Sequence, residues 1–211
     1  MKIDFVSDVA CPWCAVGLNA LERALESVGT DIEVELQFQP FELNPDMPPE
    51  GADTATYLAN KYGMGPEQLA RNRQNIRERG AAVGFEFGER PHVWNTFDAH
   101  RMLHWAGLQG PDFQRKLKHA LLAAYHTNAE NPGAHDVLER LASEVGLDSA
   151  TAREVLASGR YADEVRSAER RWQQLGIHAV PSVVIDGKHL IQGGQPPEVF
   201  AQALRKIAAG G

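Results

Sequence analysis

Hydrophobic and polar residues are arranged at strand spacing in two short stretches near the start of the chain. Residues 2–7 and 32–38 are rich in β-branched and aromatic residues, and the second stretch alternates strictly between apolar and polar positions. Such alternation predicts β-strands, because successive side chains of a strand point to opposite faces. Between the two stretches the apolar residues recur at helical spacing before Gly29. They are Leu18, Leu21, Leu25 and Val28.

The middle of the chain has a different pattern. A segment rich in proline and polar residues, 44–51, separates it from the opening strands. From residue 51 to residue 176 the apolar residues follow helical spacing throughout, with breaks at glycine- and proline-containing turns. We therefore predict that residues 51–176 are entirely helical.

Strand spacing returns after residue 176. Val183-Val184-Ile185 is a compact β-branched run, and Asp186-Gly187 is a strong signal for a hairpin to the next strand. A last helix is predicted from Pro197. The chain is thus predicted to be an α/β protein with a large all-helical insertion. Its α/β domain comprises residues 1–50 and 177–211, and the insertion comprises residues 51–176.

Composition and charge narrow the classes of partner. Hydrophobic residues make up 43% and charged residues 23% of the chain, as in an ordinary globular protein, and the formal net charge is −7. A negative chain has no overall attraction to nucleic acid or to an anionic membrane. The start of the sequence shows no signal peptide, because Asp4, Ser7 and Asp8 interrupt its apolar run, and no apolar stretch is long enough for a bilayer. We therefore expect a cytoplasmic protein without a membrane partner.

The chain has two cysteines, and both lie in one Cys-Pro-Trp-Cys sequence, Cys11 to Cys14. In a reducing compartment such a pair is more often catalytic or metal-binding than structural. Pro12 suits the first turn of the predicted helix, which places Cys11 where free N–H groups and the helix dipole stabilise a thiolate. We therefore interpret Cys11 as the attacking thiol, and Cys14, one turn further on, as the resolving thiol.

Two other interpretations of the cysteines stay open. They could be half of a zinc site, although no second cysteine pair and no nearby histidine in the sequence completes four ligands, so we predict no metal. They could also be a pair of buried, inert thiols. Trp13 lies between the two cysteines and is expected to be partly exposed to partners.

A second candidate element is Val180-Pro181-Ser182, directly before a predicted strand. A proline at this position is either at a sheet edge or in an unusual backbone geometry. Most X–Pro bonds are trans. In a thioredoxin-like fold, however, this is the place of a cis-proline beside the dithiol, and Val180 would then offer its backbone groups to an extended peptide or to glutathione.

Some charged residues have weaker functional signals. His100 and His104 lie four residues apart on a predicted helix and could share a metal, but without a third ligand we interpret them as an ordinary packed pair. Four arginines are interpreted as a solvated helix face, with attraction of an anionic substrate as the alternative. They are Arg71, Arg73, Arg77 and Arg79.

The sequence resembles the DsbA family, and within it the FrnE-like cytosolic branch, over essentially its whole length. Five segments carry the resemblance. They are Ser7 to Cys14, Pro40 to Pro45, Asn95 to Arg101, Val180 to Ser182 and Gly193 to Pro197.

The resemblance implies a thioredoxin-like fold with a helical insertion and an active site at Cys11 and Cys14, with Pro181 in cis. The implied activity is oxidation, reduction or isomerisation of protein disulfides, with no cofactor besides the dithiol and with glutathione as a possible co-substrate. The chain departs from the usual pattern at Phe5, where many thioredoxin-like proteins have a buried acidic residue that assists proton transfer. The proton acceptor for Cys14 is therefore unassigned.

Two further functions remain alternatives. Related 2-hydroxychromene-2-carboxylate isomerases and kappa-class glutathione transferases share the split fold, and a serine typically stands where this chain has Cys11. A binding module that retains the fold without catalysis is the other alternative. The sequence indicates neither the substrate, nor the direction of net turnover, nor the oligomeric state.

Overall fold

The computed structural model describes residues 1–210. The strands are β1 (Lys2–Ser7), β2 (Glu35–Pro40), β3 (Ala52–Asp53), β4 (His92–Val93), β5 (Ser182–Ile185) and β6 (His189–Gln192). The helices are α1 (Pro12–Val28), α2 (Thr54–Tyr62), α3 (Pro66–Ala82), α4 (Phe97–Gln109), α5 (Pro111–His126), α6 (His135–Glu144), α7 (Ser149–Ser158), α8 (Ala162–Gln174) and α9 (Pro197–Ala208). A 3-10 turn, Gly29–Asp31, follows α1.

The main sheet has four strands in the order β2-β1-β5-β6. β1 runs parallel to β2, with Phe5 opposite Phe38, and antiparallel to β5. The parallel connection passes through α1, as a parallel pair requires a crossover. Because β1 is central and covered on both faces, Ile3, Phe5 and Val6 are all fully buried although they do not alternate.

The predicted hairpin near the C-terminus is present. β5 pairs antiparallel with β6, and the linking residues Asp186 and Gly187 have positive φ angles of 51° and 66°. Asp-Gly is favoured in such turns because both residues tolerate the left-handed conformation. The second predicted strand is shifted, since β2 covers 35–40 rather than 32–38. The 3-10 turn after α1 delays its start, and residues 39 and 40 continue the pairing with β1.

The prediction that residues 51–176 are entirely helical was wrong at one place. β3 and β4 form a two-stranded antiparallel sheet in which Ala52 lies opposite Val93. Strands of two residues are too short to produce a recognisable spacing in sequence. The preceding Gly51 has a φ of 68°, and a side chain there would lie 2.3 Å from the carbonyl oxygen of Val93. Glycine is therefore required for this approach.

Three hydrophobic cores hold residues 1–210 together: one around the main sheet with α1 and α9, one among the helices, and a smaller third formed by Val6, Phe41, Trp172, Ile177 and Val184. The first is centred on Phe5, Leu18, Leu21, Phe200 and Leu204. The second includes Met102, Leu117, Leu121, Leu138 and Val155.

Each of the first two cores contains residues from both predicted parts of the chain. Phe85 and Leu122, from the region between the strands of the main sheet, pack into the first core, and Val9 packs into the second. The division into residues 1–50 with 177–211 and residues 51–176 stays a prediction. Among residues 1–210, no helix combines the length and the apolar character needed to span a membrane.

Candidate active site

The first turn of α1 presents the dithiol. Cys11 is the residue at the N-terminal cap, with φ −88° and ψ 114°, and Pro12 occupies the first helical position. No side chain caps this helix end, and its first turn has no acidic residue. The free N–H groups and the positive end of the helix dipole are therefore available to stabilise negative charge at Cys11.

Four of the predicted site residues lie together in the structure. Cys11 and Cys14 are free thiols that are 4% and 0% exposed. The Cys11 thiol donates a hydrogen bond to the carbonyl oxygen of Val180 at 3.7 Å, and the Val180–Pro181 peptide bond is cis. Pro12 and Trp13, which are predicted to bind the substrate, are half-buried beside the cysteines. The roles of these residues stay predictions.

The two thiols differ in their tendency to ionise. The hydrogen bond from the Cys14 thiol lowers the pKa of Cys11, against the opposing effects of burial and of the Asp8 charge. Burial raises the pKa of Cys14 well above the usual thiol value, and its interactions with Cys11 raise it further. Cys11 is therefore the thiol that ionises more readily, and Cys14 ionises less readily.

Asp8, three residues before Cys11, is a fixed negative charge under the site. Its carboxylate accepts hydrogen bonds from the backbone N–H groups of Ala10 at 3.1 Å and Leu43 at 2.7 Å, and from the Thr96 hydroxyl at 2.8 Å. Burial alone would raise the pKa of Asp8, but these hydrogen bonds and the neighbouring His100 ring lower it. His100, interpreted from sequence as one of an ordinary packed pair, is thus buried against Asp8, 3.4 Å from its oxygen.

Two further residues hold the segment before Cys11, and the sequence did not single them out. His126 Nε2 lies 2.8 Å from the carbonyl oxygen of Val9, and Arg90 donates to the carbonyl oxygen of Ala10 at 3.1 Å. Arg90 also lies 3.2 Å from His126 Nδ1. Since Nε2 must donate to a carbonyl and Nδ1 must accept from a guanidinium, His126 is neutral. Burial and the Arg90 charge accordingly lower its pKa well below the usual histidine value.

The arginines of the helix face predicted from sequence, which lie on α3, make different contacts. Arg71 and Arg77 pair with carboxylates, at 3.6 Å from Glu67 and 2.5 Å from Glu89. Arg79 instead donates to the carbonyl oxygen of Gly194 at 2.8 Å, which ties α3 to the loop before α9.

A narrow cleft of about 60 Å³ lies beside the dithiol, and we call it the arginine cleft. Pro12 forms one wall, and Arg73, Arg77 and Arg90 line the cleft together with Glu89, which pairs with Arg77. The cleft places cationic groups beside Pro12, the residue that follows Cys11.

His104, the second member of the predicted histidine pair, packs on the ring of Tyr161, with 5.1 Å between the ring centroids. Burial lowers the pKa of His104. Within residues 1–210 no group of three or more histidine, cysteine or acidic side chains is arranged to hold a metal ion.

Comparison with known proteins identifies the family of this arrangement. The model of the DSBA-like thioredoxin domain matches residues 2–205. Among solved structures, a probable DsbA oxidoreductase, SCO1869 from Streptomyces coelicolor, superposes with a TM-score of 0.92 at 36% identity. The match covers 99% of this chain and 90% of that one. The predicted thioredoxin-like fold with a helical insertion is therefore confirmed.

Two more distant structures share the fold. A 2-hydroxychromene-2-carboxylate isomerase superposes with a TM-score of 0.76 at 13% identity, covering 99% of this chain and 96% of that one. The cytosolic disulfide reductase DsbM from Pseudomonas aeruginosa, with GSH, superposes with a TM-score of 0.68 at 16% identity, covering 99% and 100%. At such identities the likeness shows the fold alone.

Proposed function

This chain belongs to the DSBA-like thioredoxin domain family, and from that membership we propose that it is a thiol–disulfide oxidoreductase with Cys11 as its attacking thiol and Cys14 as its resolving thiol. The observation that carries the proposal is the opposite shift of the two thiols. Cys11 caps α1 with a lowered pKa, whereas Cys14, buried one turn further on, has a raised pKa.

The reaction follows from this difference. The Cys11 thiolate attacks one sulfur of a substrate disulfide, forms a mixed disulfide and releases the other substrate sulfur as a thiolate. Cys14 then loses its proton and attacks the Cys11 sulfur, which closes the Cys11–Cys14 disulfide and releases the reduced substrate. The reverse sequence oxidises a dithiol substrate, so the same residues serve either direction.

Val180, Pro181, Pro12 and Trp13 are proposed to contact the substrate. The Val180 carbonyl oxygen already accepts a hydrogen bond from the Cys11 thiol, so its backbone lies directly beside the reacting sulfur. An extended peptide could pair with this backbone through main-chain hydrogen bonds. Trp13, half-buried next to Cys11, offers an apolar surface to the same segment.

Glutathione is the small-molecule partner that the site favours. Its carboxylates are negatively charged and would be attracted to Arg73 and Arg90 beside Pro12, whereas Arg77 already pairs with Glu89. The structural neighbour DsbM is described with GSH and as cytosolic, which supports both a glutathione partner and a cytoplasmic location for this chain. The negative net charge gives no support to a nucleic-acid or anionic-membrane partner.

A glutathione-dependent isomerase or transferase is the second candidate, because the isomerase structure shares the fold. Such an enzyme activates glutathione as a thiolate and needs no second thiol. The presence of Cys14, one turn from Cys11 and in contact with it, favours disulfide exchange instead.

Alkylation across a range of pH tests the proposal. In the Cys14→Ser protein and the wild type, carbamidomethylation of Cys11 by iodoacetamide is followed by mass spectrometry, since only the thiolate reacts. We expect a midpoint for Cys11 below the ordinary thiol value of about 8.5. The same proteins are assayed for reduction of insulin disulfides and for exchange with glutathione.

Cys11→Ser should abolish exchange, whereas Cys14→Ser should leave a protein that accumulates a mixed disulfide at Cys11. An ordinary midpoint for Cys11 together with absent exchange would reject the oxidoreductase proposal. If Cys14→Ser then retained full activity in a glutathione-dependent isomerisation, the second candidate would be favoured.

A further inference from the structure

A lysine is buried behind the dithiol and has no ion-pair partner. Lys118 lies on α5 and is 1% exposed, which is rare for a lysine because burial of an ammonium group is costly. None of the ion pairs within residues 1–210 includes it. Such a group needs an explanation other than packing.

The position of Lys118 on α5 directs it toward the main sheet. Gln114, four residues earlier, exchanges hydrogen bonds of 3.1 and 3.2 Å with the backbone of Phe38 in β2. Leu122, four residues later, packs into the core around the sheet. Residues four apart share one helix face, so Lys118 lies between these two contacts, on the face of α5 that packs against the main sheet.

The titratable groups that surround Lys118 belong to several elements of the structure. They are Cys11, Cys14 and Asp8 on the dithiol side, His126 further along α5, and His100, His104 and Glu35 on the walls of an adjoining cavity. Asp8 is already satisfied by two backbone N–H groups, the Thr96 hydroxyl and His100, and makes no ion pair with the lysine. Lys118 is therefore not needed as its counterion.

We propose that Lys118 accepts the proton from the Cys14 thiol when Cys14 attacks the mixed disulfide at Cys11. The inference rests on the proposed oxidoreductase function and supplies the acceptor that Phe5, in place of an acidic residue, cannot provide. The Cys14 S–H proton passes through water to the neutral amine and gives an ammonium. The new thiolate forms the Cys14–Cys11 bond as the bond from Cys11 to the substrate sulfur breaks, and the substrate leaves as a thiolate.

The electrostatics fit this transfer in both directions. Burial lowers the pKa of Lys118, which favours the neutral amine, although the charges of Cys14 and Asp8 act against this. Once protonated, Lys118 lowers the pKa of Cys14. Cys14 needs such help because its own burial raises its pKa.

The proton then has a route to solvent. Lys118 lines a cavity of about 330 Å³ between β2 and the helices α4 and α5. The walls include the exposed residues Glu35 and Leu108, so the cavity opens to the surface. A cavity of this size has ample room for water, which could carry the proton away.

A reaction with 5,5′-dithiobis(2-nitrobenzoate) separates the two steps. Attack by Cys11 releases one thionitrobenzoate ion, and attack by Cys14 on the resulting mixed disulfide releases a second, both followed by stopped-flow absorbance. In Lys118→Met we expect the second release at pH 7 to slow about tenfold or more, with its pH midpoint raised by about one unit or more. The first release should change by no more than about threefold. Lys116→Met, the same change at an exposed position of α5, should match the wild type in both.

The outcomes separate the two proposals. Absence of the first release in the wild type would reject the dithiol itself, whatever Lys118 does. A normal first release with an unchanged second release and pH profile in folded Lys118→Met would overturn only the role of Lys118. If the variant fails to fold, the wild type decides. A second-release midpoint below the ordinary thiol value of about 8.5 supports an acceptor, and a rate still rising above that pH overturns it.

Discussion

At the scale of single residues, burial determines which groups near the dithiol can carry charge. His126 and Asp8 are both enclosed, yet Asp8 stays ionised because four donors surround its oxygens, whereas His126 stays neutral because Arg90 lies against it. The neutral ring bonds the Val9 carbonyl, two residues before Cys11. Its protonation would place a second positive charge beside Arg90, so the site depends on the ring remaining uncharged.

His126 should make the protein less stable in acid. Above pH 6.5 the ring is neutral in both states and adds no pH dependence. As the pH falls below about 6.5, His126 binds a proton in the unfolded chain but not in the folded chain. The free energy of unfolding therefore decreases by up to about 1.4 kcal/mol per pH unit. We expect His126→Gln to remove this slope in urea unfolding measured from pH 7.5 to pH 5.

The exposed His135→Gln protein is the control. Glu42 acts in the opposite direction, since burial raises its pKa to about 7 and its contribution is lost as the pH rises from 4.5 through that value. Because Glu42 is present in all three proteins, it cancels in the comparison. Equal slopes for His126→Gln and the wild type would contradict the assignment of a neutral His126.

At the scale of elements, α1 both carries the two thiols and packs against the Val180–Pro181 segment. Gly17, one turn beyond Cys14, faces Pro181, and a β-carbon there would lie 3.0 Å from Pro181 Cγ and 3.4 Å from Gly194 Cα. The helix therefore approaches the Val180–Pro181 segment at a distance that a side chain would increase. We therefore expect the proposed reactivity of Cys11 to depend on this packing, because the Cys11 thiol donates a hydrogen bond to the Val180 carbonyl oxygen.

Gly17→Ala is expected to slow disulfide exchange more than it destabilises the fold. The added methyl group pushes Pro181 away by a few tenths of an ångström, and we expect roughly tenfold slower insulin reduction. Overpacking costs about 1–3 kcal/mol, but alanine recovers about 0.5–1 kcal/mol within a helix. The same change at Gly65, which has open space around it, should leave the rate unaltered. Unchanged exchange in Gly17→Ala would show that the contact does not govern the site.

At the scale of the whole molecule, the helical region is part of the structure that supports the dithiol. Phe85 and Leu122 fill the core of the main sheet, and Glu22 on α1 is held by Arg115 at 2.6 Å and His119 at 2.9 Å from α5. Burial would raise the pKa of Glu22, but these two partners lower it. The inserted region therefore contributes core side chains and ion pairs to the α/β part.

Removal of the helical region should prevent folding. A chain in which a short Gly-Ser linker joins residues 1–50 to 177–211 lacks the side chains that close the first core, so we expect no cooperative thermal transition by circular dichroism. The control carries the same linker inserted after Gly159, an exposed turn residue, and should melt cooperatively like the wild type. A cooperative transition in the shortened chain would show that the predicted α/β domain folds alone.

The sequence was most informative where structure depends on neighbours along the chain. The dithiol at the start of α1 and the Asp186-Gly187 turn follow from local spacing and from the conformations that each residue type allows. The resemblance to the DsbA family was also correct, whereas its FrnE-like branch stays a prediction. The two-residue strands β3 and β4 were missed because strands of that length leave no periodic pattern.

The sequence by itself determined the order of the main elements and the pair of thiols, because these depend on short-range spacing, and its resemblance to a known family indicated the fold family. Only the tertiary structure decided which distant groups surround the thiols. Arg90, Lys118 and His126 lie about 80 to 115 positions from the dithiol in sequence. Packing of α5 against the main sheet places Lys118 and His126, and Arg90 contacts His126. Their burial sets their charge, and burial is a property of the packed chain that no local pattern contains.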